Sequence, residues 1–326
     1  MKKITSIMLI WCLSMLFAEV FSGASQMWYL NIGAWLLTFP LYTFHILFFL
    51  FIAVYYKKIS IKHLYILGMI FALYESWITK VLWEWYMTET SWPWLWTFMW
   101  LWIIEYPILV FFWHPIFSFI LPVLTYQIIS NNIIEEHKNI LKKTNKKTYI
   151  IYLFLAMISS FIAFGNQFDA ISTNLSVIWT LILIIIFSYF SKDKDINSLN
   201  LEKKWFILTT IYILLLYIIT FFNLLPERIP WYFLAYFSII ISYIFFIYLF
   251  KKTKKINNIK NNNNILYSKK DLYKFTLFLL IMLNIVSIFQ ESSYVIFTIS
   301  YLLFTIIWII LFLMILYNTF KNTKKL

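Results

Sequence analysis

The sequence predicts an all-α fold, a polytopic membrane helix bundle of about ten transmembrane helices with both termini cytoplasmic. Three observations lead there. Apolar residues make up 62% of the 326 residues and charged residues only 13%, whereas a soluble domain is roughly a quarter charged. Apolar stretches of the roughly 20 residues needed to cross the hydrocarbon core recur along the whole chain. The basic residues are confined to alternate loops, which hold 25 of the 27 Lys and Arg.

The apolar stretches are residues 4–22, 34–56, 63–83, 103–129, 148–165, 170–190, 205–225, 231–250, 272–290 and 293–317. With the termini and alternate loops taken as cytoplasmic, the bases fall at the N-terminus, at 57–62, 138–147, 192–204 and 251–274, and at the C-terminus. Only Lys80 and Arg228 lie on the other side. Cytoplasmic loops retain positive charge, so this bias fixes both termini inside and requires an even number of spans. Lys2 and Lys3 ahead of an apolar run, with Ser22-Gly23-Ala24 after it, also have the form of a signal peptide. Retention of the first helix is the reading adopted, because cleavage would discard Glu19.

Residues 1–130 read as a four-helix half that carries nearly all the intramembrane ionisable groups, together with an external Trp-rich segment. That segment, "WPWLWTFMWLW" from Trp92 to Trp102, reads as an interfacial helix or loop, since Trp favours the headgroup region. Residues 131–147 are a basic cytoplasmic loop, and 148–326 a six-helix scaffold half rich in Ile, Phe and Tyr. The chain is thereby placed in the cell membrane, with the bilayer as its partner and anionic lipid headgroups at the basic loops. The net charge of +13 therefore does not indicate nucleic acid. The single Cys12 excludes an internal disulfide and a Cys cluster for zinc or iron. With only four Gly and the run Asn261 to Asn264, the composition is biased, so aromatic counts are not ligand signals.

Within "FALYESWITK", residues 71–80, a carboxylate interrupts a greasy run. A charge at bilayer depth costs roughly 2.5–3.5 kcal/mol on insertion scales, so a retained one faces a partner or a water-filled cavity. Glu75 lies about 18 Å along the third span from His63, in the outer half of the bilayer. Glu19 ends the first span on the same side; His45, Glu105 and His114 fall between mid-membrane and that side. The candidate catalytic residues are Glu75, His114 and Glu19, with Ser22, His45, Glu105 and Ser118 in support. Thr38, Tyr42 and His45 share one helix face, as do His114, Ser118 and Pro122. On a straight helix Glu105 and His114 are half a turn out of phase, although Pro107 and Pro115 could change that. Glu75 and Lys80 are also off-phase, so Lys80 is expected to snorkel outward. Asn284, Ser287 and Glu291 make a weaker polar stripe on the ninth span.

"AEVFSG" (Ala18 to Gly23), "GMIFALYESWITK" (Gly68 to Lys80) and "HPIFSFILP" (His114 to Pro122) resemble a pattern in uncharacterised multi-pass membrane proteins of archaea and some bacteria. The resemblance covers about the first 130 residues. It implies that Glu19, Ser22, Glu75, His114 and Ser118 belong together, and it brings no activity. Those relatives commonly show Glu-Glu-Gly where this chain has Glu75-Ser76-Trp77, so a role needing two adjacent carboxylates does not carry over.

Three functions compete. A transporter would use Glu75 and the histidines as a proton or cation relay. An intramembrane hydrolase would use Glu75 as general base, with His45, His114 and Glu75 as the ligands if a metal such as zinc is bound. A structural or assembly subunit would use the same polar groups to lock helices together. No cofactor and no protein partner is specified by the sequence. The pair Glu135-Glu136 superficially resembles the Glu-Glu-x-x-x-Arg motif of CPBP intramembrane proteases, but Ile140 stands at the Arg position and the pair lies in a cytoplasmic loop.

Overall fold

In a computed structural model, residues 2–83, 97–98, 101–102, 105–141, 145–166, 169–191, 196–256, 261–262, 267–288 and 294–321 are described. They form a helical bundle. Helix α1 (Lys2–Ser14) runs on into a π-helical turn, Met15–Val20. A second π-turn, Ala34–Thr38, leads into α2 (Phe39–Tyr55), and α3 follows (Ile61–Thr79). A long π-helical segment, Pro107–Ile120, continues as α4 (Leu121–Ser130). After these come α5 (Asn145–Gly165), α6 (Ala170–Phe190), α7 (Lys203–Asn223), α8 (Phe233–Lys252), α9 (Lys269–Ile288) and α10 (Tyr294–Lys321).

Ile- and Phe-rich stretches have little intrinsic preference for helix in water, yet an apolar solvent leaves the helix as the way to satisfy each backbone N–H and C=O within one segment. Seven segments among the described residues are long and apolar enough to cross a membrane: Lys3–Val20, Ala34–Tyr55, Pro107–Ser130, Ala170–Phe190, Lys203–Asn223, Phe233–Lys252 and Leu302–Lys321. Local signals set several boundaries. Asp169 caps α6, its carboxylate accepting from the Ser172 backbone N–H at 2.6 Å; that bond holds the Asp169 pKa below its ordinary value. Lys80 after α3 and Asn131 after α4 take the left-handed conformation that ends a helix.

The centre of the bundle is the packing of α3 on the Pro107–Ile120 segment, with α8 on another face of α3 and α1 lying between α6 and α4. Within the Pro107–Ser130 segment 83% is buried, against 28% for Ala170–Phe190, Lys203–Asn223 and Leu302–Lys321. The early helices are therefore enclosed, while late ones turn wide apolar faces outward, among them Ile182, Leu214 and Ile306.

The loops gather at two ends. At one, strands β3 (Ile133–Ile134) and β4 (Asn261–Asn262) pair antiparallel. There the Ile256 N–H donates to the Lys57 carbonyl at 2.8 Å, and Lys58 Nζ donates to the Lys251 carbonyl at 3.0 Å. His137, fully buried, bonds the Ile59 carbonyl at 2.8 Å and the Gln127 amide. At the other end, Asn166 donates to the Ser22 carbonyl at 2.6 Å and the Trp83 indole to the Ala235 carbonyl at 3.1 Å.

Two expectations fall on these ends. Of the Trp-rich segment, only strands β1 (Thr97–Phe98) and β2 (Leu101–Trp102), an antiparallel pair, belong to the described residues; its remainder lies outside them, as does Glu291 of the ninth-span stripe. Lys80 is the other, and here the expectation is corrected. It does not snorkel outward. Lys80 is fully buried, its ammonium donating to the Leu224 carbonyl just past α7 and standing 5.0 Å from the Phe221 ring. The left-handed turn at residue 80 aims the side chain back into the bundle, where a helix C-terminus and an aromatic face accept the charge.

Candidate functional site

Two of the three π-helical segments among the described residues carry the candidate carboxylate and imidazole. Glu19 sits in the Met15–Val20 turn and His114 in Pro107–Ile120, and π-helical turns inside α-helices are frequent at functional sites. Pro115 lies within the second segment, where its ring and missing N–H break the ordinary helical ladder. Bonding from i to i+5 widens each turn, so nine residues close about two full turns. Glu105 and His114, half a turn apart on an α-helix, accordingly line the same cavity.

Across from His114 stands α3. The approach is close because position 68 is glycine: a Cβ placed there would lie 2.6 Å from Pro115 Cα. Two turns along α3, Glu75 Oε2 meets His114 Nε2 at 2.9 Å. The other ring nitrogen, Nδ1, is 3.1 Å from Ser118 Oγ, one turn further along the same segment. Ser118 is fully buried, and its hydroxyl lies within electrostatic reach of the Tyr42 hydroxyl. The Tyr42 hydroxyl donates to Glu19 Oε1, and Ser25 donates to Glu19 Oε2. Five side chains from four helices thus run in one line: Glu75, His114, Ser118, Tyr42, Glu19.

The line borders a cavity of about 710 Å³, within the range of pockets that hold small molecules. Glu19, Tyr42, Glu75, Glu105 and His114 line it; Ser118 does not. Apolar walls come from Ile108, Leu109, Trp113 and Ile162, and loop residues Ala24, Gln26 and Arg228 border the end where Lys80 lies. Glu75 keeps 16% of its side-chain surface exposed and His114 only 5%, so the pair is reached from the cavity through the carboxylate.

Other sequence candidates behave differently. Ser22 lines the cavity, but its hydroxyl donates to the Glu19 main-chain carbonyl at 2.9 Å. His45 does not join the cluster. Its Nδ1 bonds the Leu41 carbonyl at 2.6 Å, and its ring packs 4.0 Å from that of Tyr74. The ligand set His45, His114 and Glu75 is therefore not assembled, and among the described residues no group of three His, Cys, Asp or Glu could hold a metal ion. Asn284 of the weaker stripe pairs with Asn174 at 2.8 Å, away from the cavity.

Sequence reading missed Ser25, Asn166 and Arg228. Ser25 and Arg228 lie in interhelical loops, where no period marks a shared face, and Asn166 lies just past the end of α5. Tyr42 was legible only as a neighbour of His45 on a polar stripe.

A family model described as an uncharacterized membrane protein family matches residues 8–323. The chain belongs to that family. The matched region takes in every residue of this chain's line, from Glu19 to Ser118. An uncharacterized protein of Archaeoglobus fulgidus is similar, 27% identical over 252 residues, covering 74% of this chain and 75% of its own length. No solved structure matches the chain.

Proposed function

We propose that this protein is a ten-span protein of the cell membrane, both termini cytoplasmic, that moves a small solute by means of a proton relay in an externally open cavity. Residues 1–130 carry the relay and 148–326 act as scaffold. The basic loops, 131–147 among them, meet anionic lipid headgroups on the cytoplasmic side.

The observation that carries this reading is the 2.9 Å contact of Glu75 with His114 on the cavity wall, continued through Ser118 and Tyr42 to Glu19. With His114 protonated, Nε2–H donates to Glu75 and Nδ1–H to Ser118; the Ser118 hydroxyl donates to Tyr42, and Tyr42 to Glu19. Shifting each hydrogen one step along this chain leaves His114 neutral and Glu19 protonated, and no other atom has to move. A buried ion pair is expensive to keep unless its surroundings solvate it, so filling or drying the cavity biases the proton's position. That is the coupling a transporter needs.

A hydrolase would use the same Glu75–His114 contact for general acid–base chemistry. The position of Ser118 behind the imidazole, off the cavity wall, supports an orienting role for its hydroxyl.

The test is proton movement in proteoliposomes loaded with a pH-sensitive dye, after an imposed pH step. Wild type should relax the gradient, Glu75→Gln and His114→Asn should lose at least tenfold in rate, and His45→Gln should retain it. Equal rates in wild type and Glu75→Gln would end the relay reading.

A further inference from the structure

Beyond the Glu75–His114 pair, the cavity wall carries groups of both signs, the carboxylates Glu19 and Glu105 and the guanidinium of Arg228. Both oxygens of Glu19 are engaged by hydroxyl groups, Tyr42 on one and Ser25 on the other, dipoles that solvate a negative charge placed there. No cation pairs with it among the described residues. Arg228, half-buried, lines the same cavity; its backbone N–H donates to the Leu225 carbonyl at 3.1 Å, and its guanidinium makes no ion pair or hydrogen bond with the described residues. The two side chains are therefore more than 4 Å apart, with the cavity between them. His114 is already committed to Glu75.

An uncompensated charge at a partly dry site is costly, and the cost falls when a ligand supplies the opposite charge. A purely cationic ligand would answer Glu19 and leave Arg228 bare; a purely anionic one would do the reverse. A molecule with an ammonium at one end and a carboxylate or phosphate at the other satisfies both. The planar guanidinium takes such an oxyanion through two parallel N–H bonds. The volume of about 710 Å³ leaves room for several carbons beyond the charged groups, and Ile108, Leu109 and Ile162 give those carbons an apolar wall.

We infer that the solute of this site is a small zwitterion, its ammonium held at Glu19 and its carboxylate or phosphate at Arg228. This rests on the cavity being the transport site proposed above. It adds a regulatory link as well: an ammonium arriving at Glu19 raises the cost of placing the relay proton there, so binding pushes that proton back toward His114.

The experiment is binding by the full chain in lipid nanodiscs, read by calorimetry. Phosphoethanolamine and β-alanine serve as zwitterions, with ethanolamine, inorganic phosphate and propionate as their separated halves. At least one zwitterion should bind at least tenfold more tightly than either of its halves. Arg228→Gln should reduce that zwitterion to the level of its amine half, and Glu19→Gln to the level of its anionic half, with melting temperatures unchanged. Phosphatidylethanolamine added to the nanodisc separates the two sources of this chemistry: competition with free phosphoethanolamine assigns a lipid headgroup, and no competition assigns a free solute. Halves that bind as well as the zwitterions, no binding by any probe, or an Arg228→Gln variant that binds like wild type would each overturn the inference. Proton flux lost in Glu75→Gln while no zwitterion binds would leave the relay standing and remove only the solute class.

Discussion

Gly68 of α3 lies directly against Pro115, so close that a Cβ added at 68 would stand 2.6 Å from Pro115 Cα and 3.0 Å from its Cβ. This contact sets the spacing of the two segments two turns along α3 from Glu75, at the residue that follows His114. The nearest atom is backbone, so it cannot swing aside. Gly68→Ala is expected to cost about 1–3 kcal/mol, as overpacking in a filled interior does, and to weaken the Glu75–His114 contact. Thermal unfolding in detergent should show a lower midpoint, and relay flux should fall with it. A variant as stable and as active as wild type would mean the helices are not held at this distance.

Lys80 offers a second check, since an outward and an inward side chain predict different outcomes. The ammonium finishes α7 at the Leu224 carbonyl and faces the Phe221 ring. Lys80→Ala should destabilise the protein by about 2 kcal/mol, the range for a charged hydrogen bond lost from a buried acceptor. A snorkelling lysine would have cost almost nothing. Melting of the two proteins under identical detergent conditions separates these results.

His137 should make stability depend on pH. Burial lowers its pKa from 6.5 to about 4, with the bond to the Ile59 carbonyl opposing that shift. Between those values the unfolded chain binds the proton and the folded one does not. The stability that depends on neutral His137 is complete above about pH 6.5 and is lost as pH falls toward about 4, by up to about 3 kcal/mol. Melting temperature should drop between about pH 7 and pH 5, and the drop should be smaller in His137→Asn. Equal drops in both proteins would place the sensitivity elsewhere.

The sequence carried much of the helical architecture because bilayer-length apolar runs and charged loops are one-dimensional signals. The expected stretches 170–190 and 231–250 lie almost on α6 and α8, and Glu75 and His114 announced themselves as polar groups in apolar runs. Lateral meeting is another matter. The winding of Pro107–Ile120 is π-helical, and an α-helical count puts Glu105 on the wrong side of His114. His45 looked equivalent to His114 by depth, yet its ring bonds its own helix at Leu41. Lys80 was misjudged because one left-handed residue reverses a side chain without altering hydropathy. Arg228 and Asn166 come to the cavity through tertiary packing, which leaves no local pattern.

The most direct test of the relay breaks its middle while sparing both carboxylates. Ser118→Ala and Tyr42→Phe each remove one hydroxyl from the chain between His114 and Glu19 and leave every charge in place. In proteoliposomes, proton flux per folded molecule should fall at least tenfold in both variants, while Tyr42→Phe also lowers the melting temperature by the loss of its bond to Glu19. Wild-type flux in either one would contradict the account, because the proton would then be passing by a route that does not include the line from Glu75 to Glu19.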